Sequence, residues 1–206
     1  MNNHIPNHHG QYDCASMDLD DLLLCLPLPL RNHSRRVAVC SSIIAEYIGD
    51  FTNPWCDNPV LLAHLGGTCH DIGKLMLPAL TNPQRTYRQH PVLGAELLVK
   101  HKNALFDDPD LASAIIDIVL HHHERPDKNG FPEGVGNVSL LAGICAIANE
   151  LDYIFDLSGD PEKNSQPALY YIKAQTDICF SKTVVLCLEK AWDPIITKYT
   201  KWSRSD

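Results

Sequence analysis

Residues 68–132 read TCHDIGKLMLPALTNPQRTYRQHPVLGAELLVKHKNALFDDPDLASAIIDIVLHHHERPDKNGFP. Within that stretch His70 and Asp71 stand side by side, His90 follows, and His122 and His123 run directly into Glu124. Imidazoles and a carboxylate drawn from separate segments are the donor set of a transition-metal site. Helical spacing surrounds each of them. His90 shares a face with Leu93, Leu97 and Leu98, while Ile115, Ile116 and Val119 form a stripe that His122 and His123 continue at its C-terminal end. Adjacent helical residues point about 100° apart. One cation can therefore take the His70 imidazole while the Asp71 carboxylate reaches across to a second, which makes Asp71 the candidate bridging ligand.

Working outward, Pro59 opens a helix through Val60, Leu61, Leu62 and Leu65 that must carry Gly66 and Gly67 before it delivers His70. Each interior glycine costs about 1 kcal/mol against alanine, and close approach of a neighbouring helix would compensate. Upstream, Val37, Cys40, Ile44, Tyr47 and Ile48 recur at spacings of three and four, and Gly49 closes the segment. His33 lies on the same stripe, either as a satisfied core residue or as a ligand pointing inward. Asp18 to Leu30, interrupted by Pro27 and Pro29, reads as a short helix followed by an extended Pro-x-Pro segment that docks on the domain. Residues 1–16 are polar, with His4, His8 and His9, and read as a tail or a small adventitious metal site. His64 reads as a surface or boundary histidine. Downstream, Val138 to Asp156 form a core helix, and two closing helices begin near Pro167 and Ser181, with packing or a dimer surface as their role. The domain reading is a tail and docking segment over 1–30 and a helical domain over 31–206.

The bulk numbers set limits. At 206 residues, one domain with a sizeable core fits and two with a linker do not. No run of 18 apolar residues and no secretory pattern is visible, so the expected compartment is the cytoplasm, without a membrane span. The eight cysteines show no Cys-x-x-Cys pair and read as reduced, mostly buried residues. A net charge of -8 argues against DNA or RNA as partners. It leaves room for a small anionic substrate, because bound cations dominate the local field.

The pieces His70-Asp71-Ile72-Gly73-Lys74, His90-Pro91, His122-His123-Glu124-Arg125-Pro126-Asp127 and Gly130-Phe131-Pro132 together resemble the HD-GYP family, helical metallo-phosphodiesterases that open cyclic di-GMP. Asn32-His33-Ser34-Arg35-Arg36-Val37 is similar to the helix that supplies the family's first histidine. The likeness covers roughly residues 32 to 195 and implies an all-α, HD-domain/phosphodiesterase-like helical bundle. It implies two divalent metal ions, with His33, His70, Asp71 and Asn149 serving one and Asp71, His90, His122 and His123 the other. Some relatives carry a glutamate for a third ion where this chain has Pro29, so at most two are expected. The mainly imidazole set suits transition metals, and family habit favours iron or manganese. Asp71 and Lys74 are the catalytic expectations, and Lys74, Arg125 and Phe131 the substrate contacts, with Lys74 on a non-bridging phosphate oxygen. From sequence alone Lys74 reads equally as a solvated lysine at a helix end. Glu124 and Arg125 are expected to pair with or orient neighbours, and His121 to lie outside the site.

Four departures from the family stand out. Asn149 falls where HD-domain proteins have their last aspartate, so affinity at that ion should drop, unless Asp152 one turn on substitutes. Phe131 replaces a tyrosine, and Lys128 replaces a glycine, which suggests a different backbone there. Two acids, Asp160 and Glu162, stand just beyond the Val138–Asp156 helix, where relatives hold the nucleotide with arginine, tyrosine and lysine. The expected function is a metal-dependent phosphodiesterase that hydrolyses a cyclic dinucleotide, cyclic di-GMP first, through a bridging hydroxide activated by the metals. The alternatives are a degenerate domain that senses nucleotide or binds a signalling protein, and hydrolysis of another phosphoester. A homodimer is a further expected assembly.

Overall fold

The computed structural model describes residues 18–49, 57–77, 87–106 and 108–204. Helix α1 spans Leu19–Cys25, α2 Leu28–Ala45, α3 Pro59–Cys69, α4 His90–Leu105, α5 Pro109–His121, α6 Leu140–Ser158, α7 Pro161–Ala174 and α8 Lys182–Ser203, with a 3-10 turn at Ile72–Met76 after α3. Among the described residues β structure is limited to one isolated bridge, Thr176 to Phe180. No helix there is long and apolar enough to cross a membrane. The all-α expectation holds. The polar tail at 1–16 lies outside the described residues, as do Cys14, Cys56 and most of the connector before His90. Six cysteines, at 25, 40, 69, 145, 179 and 187, are free.

Three helices start by one local device, an Asx side chain followed by proline. Asn58 accepts from the Leu61 amide at 3.0 Å, Asp108 from Asp110 at 2.9 Å, and Asp160 from Lys163 at 3.0 Å. The proline behind each cap has no N–H to lose and a φ already suited to the helix. This device moves the first closing helix to Pro161, leaving Pro167 in its interior. It also accounts for Asp160 as a cap. The same preference for proline in a first turn corrects the reading of the Pro27–Pro29 segment. Pro27 caps α2 and Pro29 sits in its first turn, so that segment is helical rather than extended.

Helix α6 runs through the middle, against α2, α3, α5, α7 and α8. Its Ile144, Ile147, Ala148 and Leu151 are fully buried with Val37, Ile44, Leu62, Ile118 and Leu188. A second cluster gathers Leu22, Cys69, Ile72, Leu98, Ile115 and Val119, and joins α1 to the 3-10 turn and to helices α4 and α5. The candidate site borders this second cluster, because Cys69 and Ile72 flank His70 and Asp71 in sequence and Val119 lies one turn before His122.

Glycines bring these helices close. A Cβ on Gly67 would lie 2.7 Å from the Ala38 Cα in α2, which explains why α3 carries a glycine there. Gly73 is tighter still, since its Cβ would meet the His90 carbonyl at 2.0 Å and the Gly94 amide at 2.4 Å. That backbone-to-backbone approach sets the distance between Asp71 and His90. Gly73→Ala must push the 3-10 turn away from α4. A cost of about 1–3 kcal/mol is expected for such overpacking, seen as a fall of roughly 2–12 °C in the thermal midpoint at this chain length. An unchanged midpoint would contradict the packing described.

Candidate metal centre

Three histidines share one local geometry. Each turns Nδ1 back onto the carbonyl three residues earlier: His70 to Gly67 at 2.8 Å, His90 to Tyr87 at 2.6 Å, and His122 to Val119 at 2.8 Å. His70 and His122 are the C-caps of α3 and α5, where the last carbonyls lack helical partners. A carbonyl can only accept, so Nδ1 carries the proton and, in the neutral ring, Nε2 keeps the lone pair. The fourth, His33 on α2, donates Nδ1–H to Asp152 Oδ2 at 2.7 Å and likewise frees Nε2.

Those lone pairs face one another. His90 Nε2 and His122 Nε2 are 3.2 Å apart. Since both rings are committed at Nδ1, the contact is acceptor against acceptor and not a hydrogen bond between neutral rings. Asp71 adds two oxygens to the cluster. Its Oδ1 lies 3.3 Å from His90 Nε2, and its Oδ2 lies 3.4 Å from His70 Nε2 and 3.6 Å from His33 Nε2. His70, Asp71, His90 and His122 are all buried, and His70 Nε2 has no hydrogen-bond partner. Burying facing acceptors is unfavourable unless a cation lies among them. The donors fall into two triads that could hold metal ions, His33 with His70 and Asp71, and His90 with His122 and His123. The residues present therefore fit divalent metal, and Asp71 turns one oxygen towards each triad.

Electrostatics agree with this. Burial pushes the His90 pKa down to about 4 and that of His123 to about 3, and holds His122 well below the ordinary value. Burial alone would raise Asp71, but His70, Lys74 and His90 together outweigh it and keep the carboxyl well below its usual range. At neutral pH the second triad thus offers neutral imidazoles beside an ionised carboxylate.

The remaining expected residues sit around this cluster. Lys74 Nζ is 2.6 Å from Asp71 Oδ2 and 5.2 Å from the centre of the Tyr87 ring. Asn149 lines both cavities that open on the triads, of about 940 and 410 Å³. Phe131 stacks on His123 at 4.4 Å between centroids, so the ring keeps its place without a hydroxyl. Arg125 donates to Asp127 at 2.8 Å and lines the smaller cavity. Glu124 accepts from the amides of Glu133, Gly134 and Val135 at 2.6, 3.0 and 2.9 Å, tying the following loop to the His122–His123 turn. His121 pairs with Asp117 at 2.8 Å, outside the triads, and His64 is exposed beside Ser42. Lys128 takes φ 63°, the left-handed conformation that glycine favours, so the backbone keeps the glycine-like form despite the side chain.

Asp152 does not substitute for a ligand. Its oxygens accept from His33 Nδ1, from Arg36 Nε and Nη2 at 2.7 and 2.9 Å, and from the Tyr199 hydroxyl at 2.9 Å. Four donors leave it no lone pair for a cation. It orients the His33 ring, a role that Arg36 and Tyr199 support from α2 and α8. Sequence reasoning missed these two, and also Tyr87, which supplies the His90 acceptor and packs its ring on His90 at 4.9 Å. The signal for Tyr87 was its place one turn before His90. None existed for Tyr199, 47 residues from its partner.

The fold and this cluster define a class: an all-helical domain with a candidate histidine–aspartate metal centre. A family model described as HD domain matches residues 30–154, and the chain belongs to that family. It is similar to "Cyclic di-GMP phosphodiesterase PA4108" of Pseudomonas aeruginosa, 36% identical over 57% of this chain and 29% of that protein. To "Cyclic di-GMP phosphodiesterase response regulator RpfG" of Xanthomonas campestris it is 30% identical over 73% of this chain and 40% of that protein. The chain thus spans less than half the length of these curated relatives. Among solved structures, the HD domain of the L. monocytogenes phosphodiesterase PgpH matches 87% of this chain and 96% of its own, with a TM-score of 0.58 and 20% identity. A second structure of that domain, in complex with cyclic-di-AMP, matches with the same TM-score of 0.58. These two likenesses speak for the fold.

Burial raises Asp152, but hydrogen bonds from His33 and Arg36 outweigh it and lower its pKa. A depressed folded-state pKa contributes stability that is fully present above the unfolded value, about 3.9 for aspartate, and is lost as pH falls through the folded value. Asp152→Asn should therefore cost about 1.5–3 kcal/mol at neutral pH, as charged hydrogen bonds are lost. The gap to wild type should narrow as pH falls below ~4. Urea midpoints across that range check this, and parallel curves would contradict it.

Proposed function

We propose that this domain is a metal-dependent phosphodiesterase that hydrolyses a cyclic dinucleotide, with cyclic di-GMP first among substrates. The observation that carries the reading is the junction of two donor triads at Asp71, with Oδ1 towards His90 and Oδ2 towards His33 and His70. In this reading His33, His70, Asp71 and Asn149 serve one ion, and Asp71, His90, His122 and His123 the other. Imidazole-rich ligation suits transition metals over calcium or magnesium, and the family resemblance points to iron or manganese among them. Divalent ions held here supply a water of lowered pKa and compensate charge on the phosphate.

The chain's own groups do the rest. The Nδ1 anchors fix each ring, so the donor geometry is preorganised before substrate arrives. Lys74, a compact cation paired with Asp71 at 2.6 Å, turns to a non-bridging phosphate oxygen and neutralises charge that develops there. Phe131, Arg88 and Arg125 line the smaller cavity beside His122 and His123, where the nucleotide would extend. The names of the curated relatives support this assignment. Asn149 favours a second reading, a nucleotide-sensing domain without turnover, because an amide brings no charge to its ion.

Two variants test the assignment. Asp71→Ala should remove both ions, read as metal per chain on protein purified without oxygen or a metal-affinity tag; retained metal would sink the bridging role. Asn149→Asp should raise metal affinity and the rate of cyclic di-GMP hydrolysis together. A rise in neither would refute the account of Asn149.

A further inference from the structure

The smaller cavity combines groups that a phosphate alone does not require. Arg88 and Arg125 bring guanidinium groups, Phe131 and Tyr171 bring aromatic rings, and Glu150 brings a carboxylate. Arg88 lies over the Phe131 ring at 4.8 Å from its centroid and donates to the Gly130 carbonyl at 3.4 Å. Arg125 Nε is buried without a hydrogen-bond partner. Glu150 lines the larger cavity as well, and the Tyr171 hydroxyl donates to its Oε1 at 3.2 Å. That bond fixes one oxygen and leaves acceptor capacity on both.

A carboxylate repels phosphate, so its place in a cavity for an anionic ligand calls for N–H donors on that ligand. Guanine presents two side by side, N1–H and the exocyclic amino group, and a carboxylate can accept both at once. Adenine offers one amino donor next to the N1 lone pair, which would face a carboxylate oxygen. Flat bases also suit the aromatic and guanidinium faces present here.

We infer that Glu150 reads the Watson–Crick edge of a guanine base in this cavity, with Tyr171 as a positioning residue, so that the site selects guanine over adenine cyclic dinucleotides. The inference rests on the proposed phosphodiesterase reading for the nearby phosphate and adds base selection to it. Glu150→Gln keeps an acceptor for Tyr171 but sets an amide donor against one of the guanine donors. Tyr171→Phe frees the carboxylate without changing its charge.

The measurement is the dissociation constant of cyclic di-GMP and of cyclic di-AMP on the metal-loaded full chain, taken from the rapid binding phase before turnover. Wild type should favour cyclic di-GMP about tenfold or more, as a bidentate base contact does. Glu150→Gln should lose that preference through weaker cyclic di-GMP binding, and Tyr171→Phe should reduce it. Equal or undetectable binding of both nucleotides to wild type, or a preference that survives in Glu150→Gln, overturns the inference. Hydrolysis of bis(p-nitrophenyl) phosphate, a diester without a base, by the metal-loaded wild type reports the phosphodiesterase reading separately. Its absence would sink that reading while the binding ratio still decides the role of Glu150.

Discussion

Acceptor atoms that face one another across 3.2 to 3.6 Å, the two oxygens of Asp71 and four imidazole nitrogens of which only that of His33 is partly exposed, are the constraint on which this structure depends. A protein interior does not hold such a set for stability. His70, Asp71, His90 and His122 are desolvated, and Lys74 brings a donor to the Asp71 carboxylate. The unfavourable arrangement persists because the surroundings over-determine it. Nδ1 of each of the four rings is tied to a carbonyl or carboxylate, and the segments that carry them are packed by cores on both sides.

The way the helices end makes the cluster available. His70 and His122 stand at C-caps, where unpartnered carbonyls accept from the rings, and His90 opens α4 against the carbonyl of Tyr87. A residue at a helix end can turn into the space between elements while its helix stays packed. The close contact of Gly73 with His90 and Gly94 then fixes how far apart these ends stand. Precision at the site comes from backbone contact, which is stiffer than contact between side chains.

The divergent positions follow the same division. Lys128 adopts the backbone that glycine favours, and Phe131 stacks on His123. Asn149 lines both cavities with a neutral amide. Asp152 looks like a spare ligand in the sequence because it lies one turn from Asn149, yet Arg36 and Tyr199 occupy it. Those partners come from α2 and α8, and only the folded chain brings them to one carboxylate.

By itself the sequence determined the helical class, the start of α3 at Pro59, and the candidate ligands. Those features are local: a cap, a periodicity or a residue type can be recognised within a few positions. Tertiary structure decided which acceptors face each other, that Asp71 turns its two oxygens to different triads, and that Tyr87, Arg36 and Tyr199 support the rings. It also decided that Pro27 and Pro29 start a helix instead of an extended strap. These outcomes depend on how closely α2, α4, α6 and α8 approach around the 3-10 turn, and that distance is set by contacts between residues far apart in the chain.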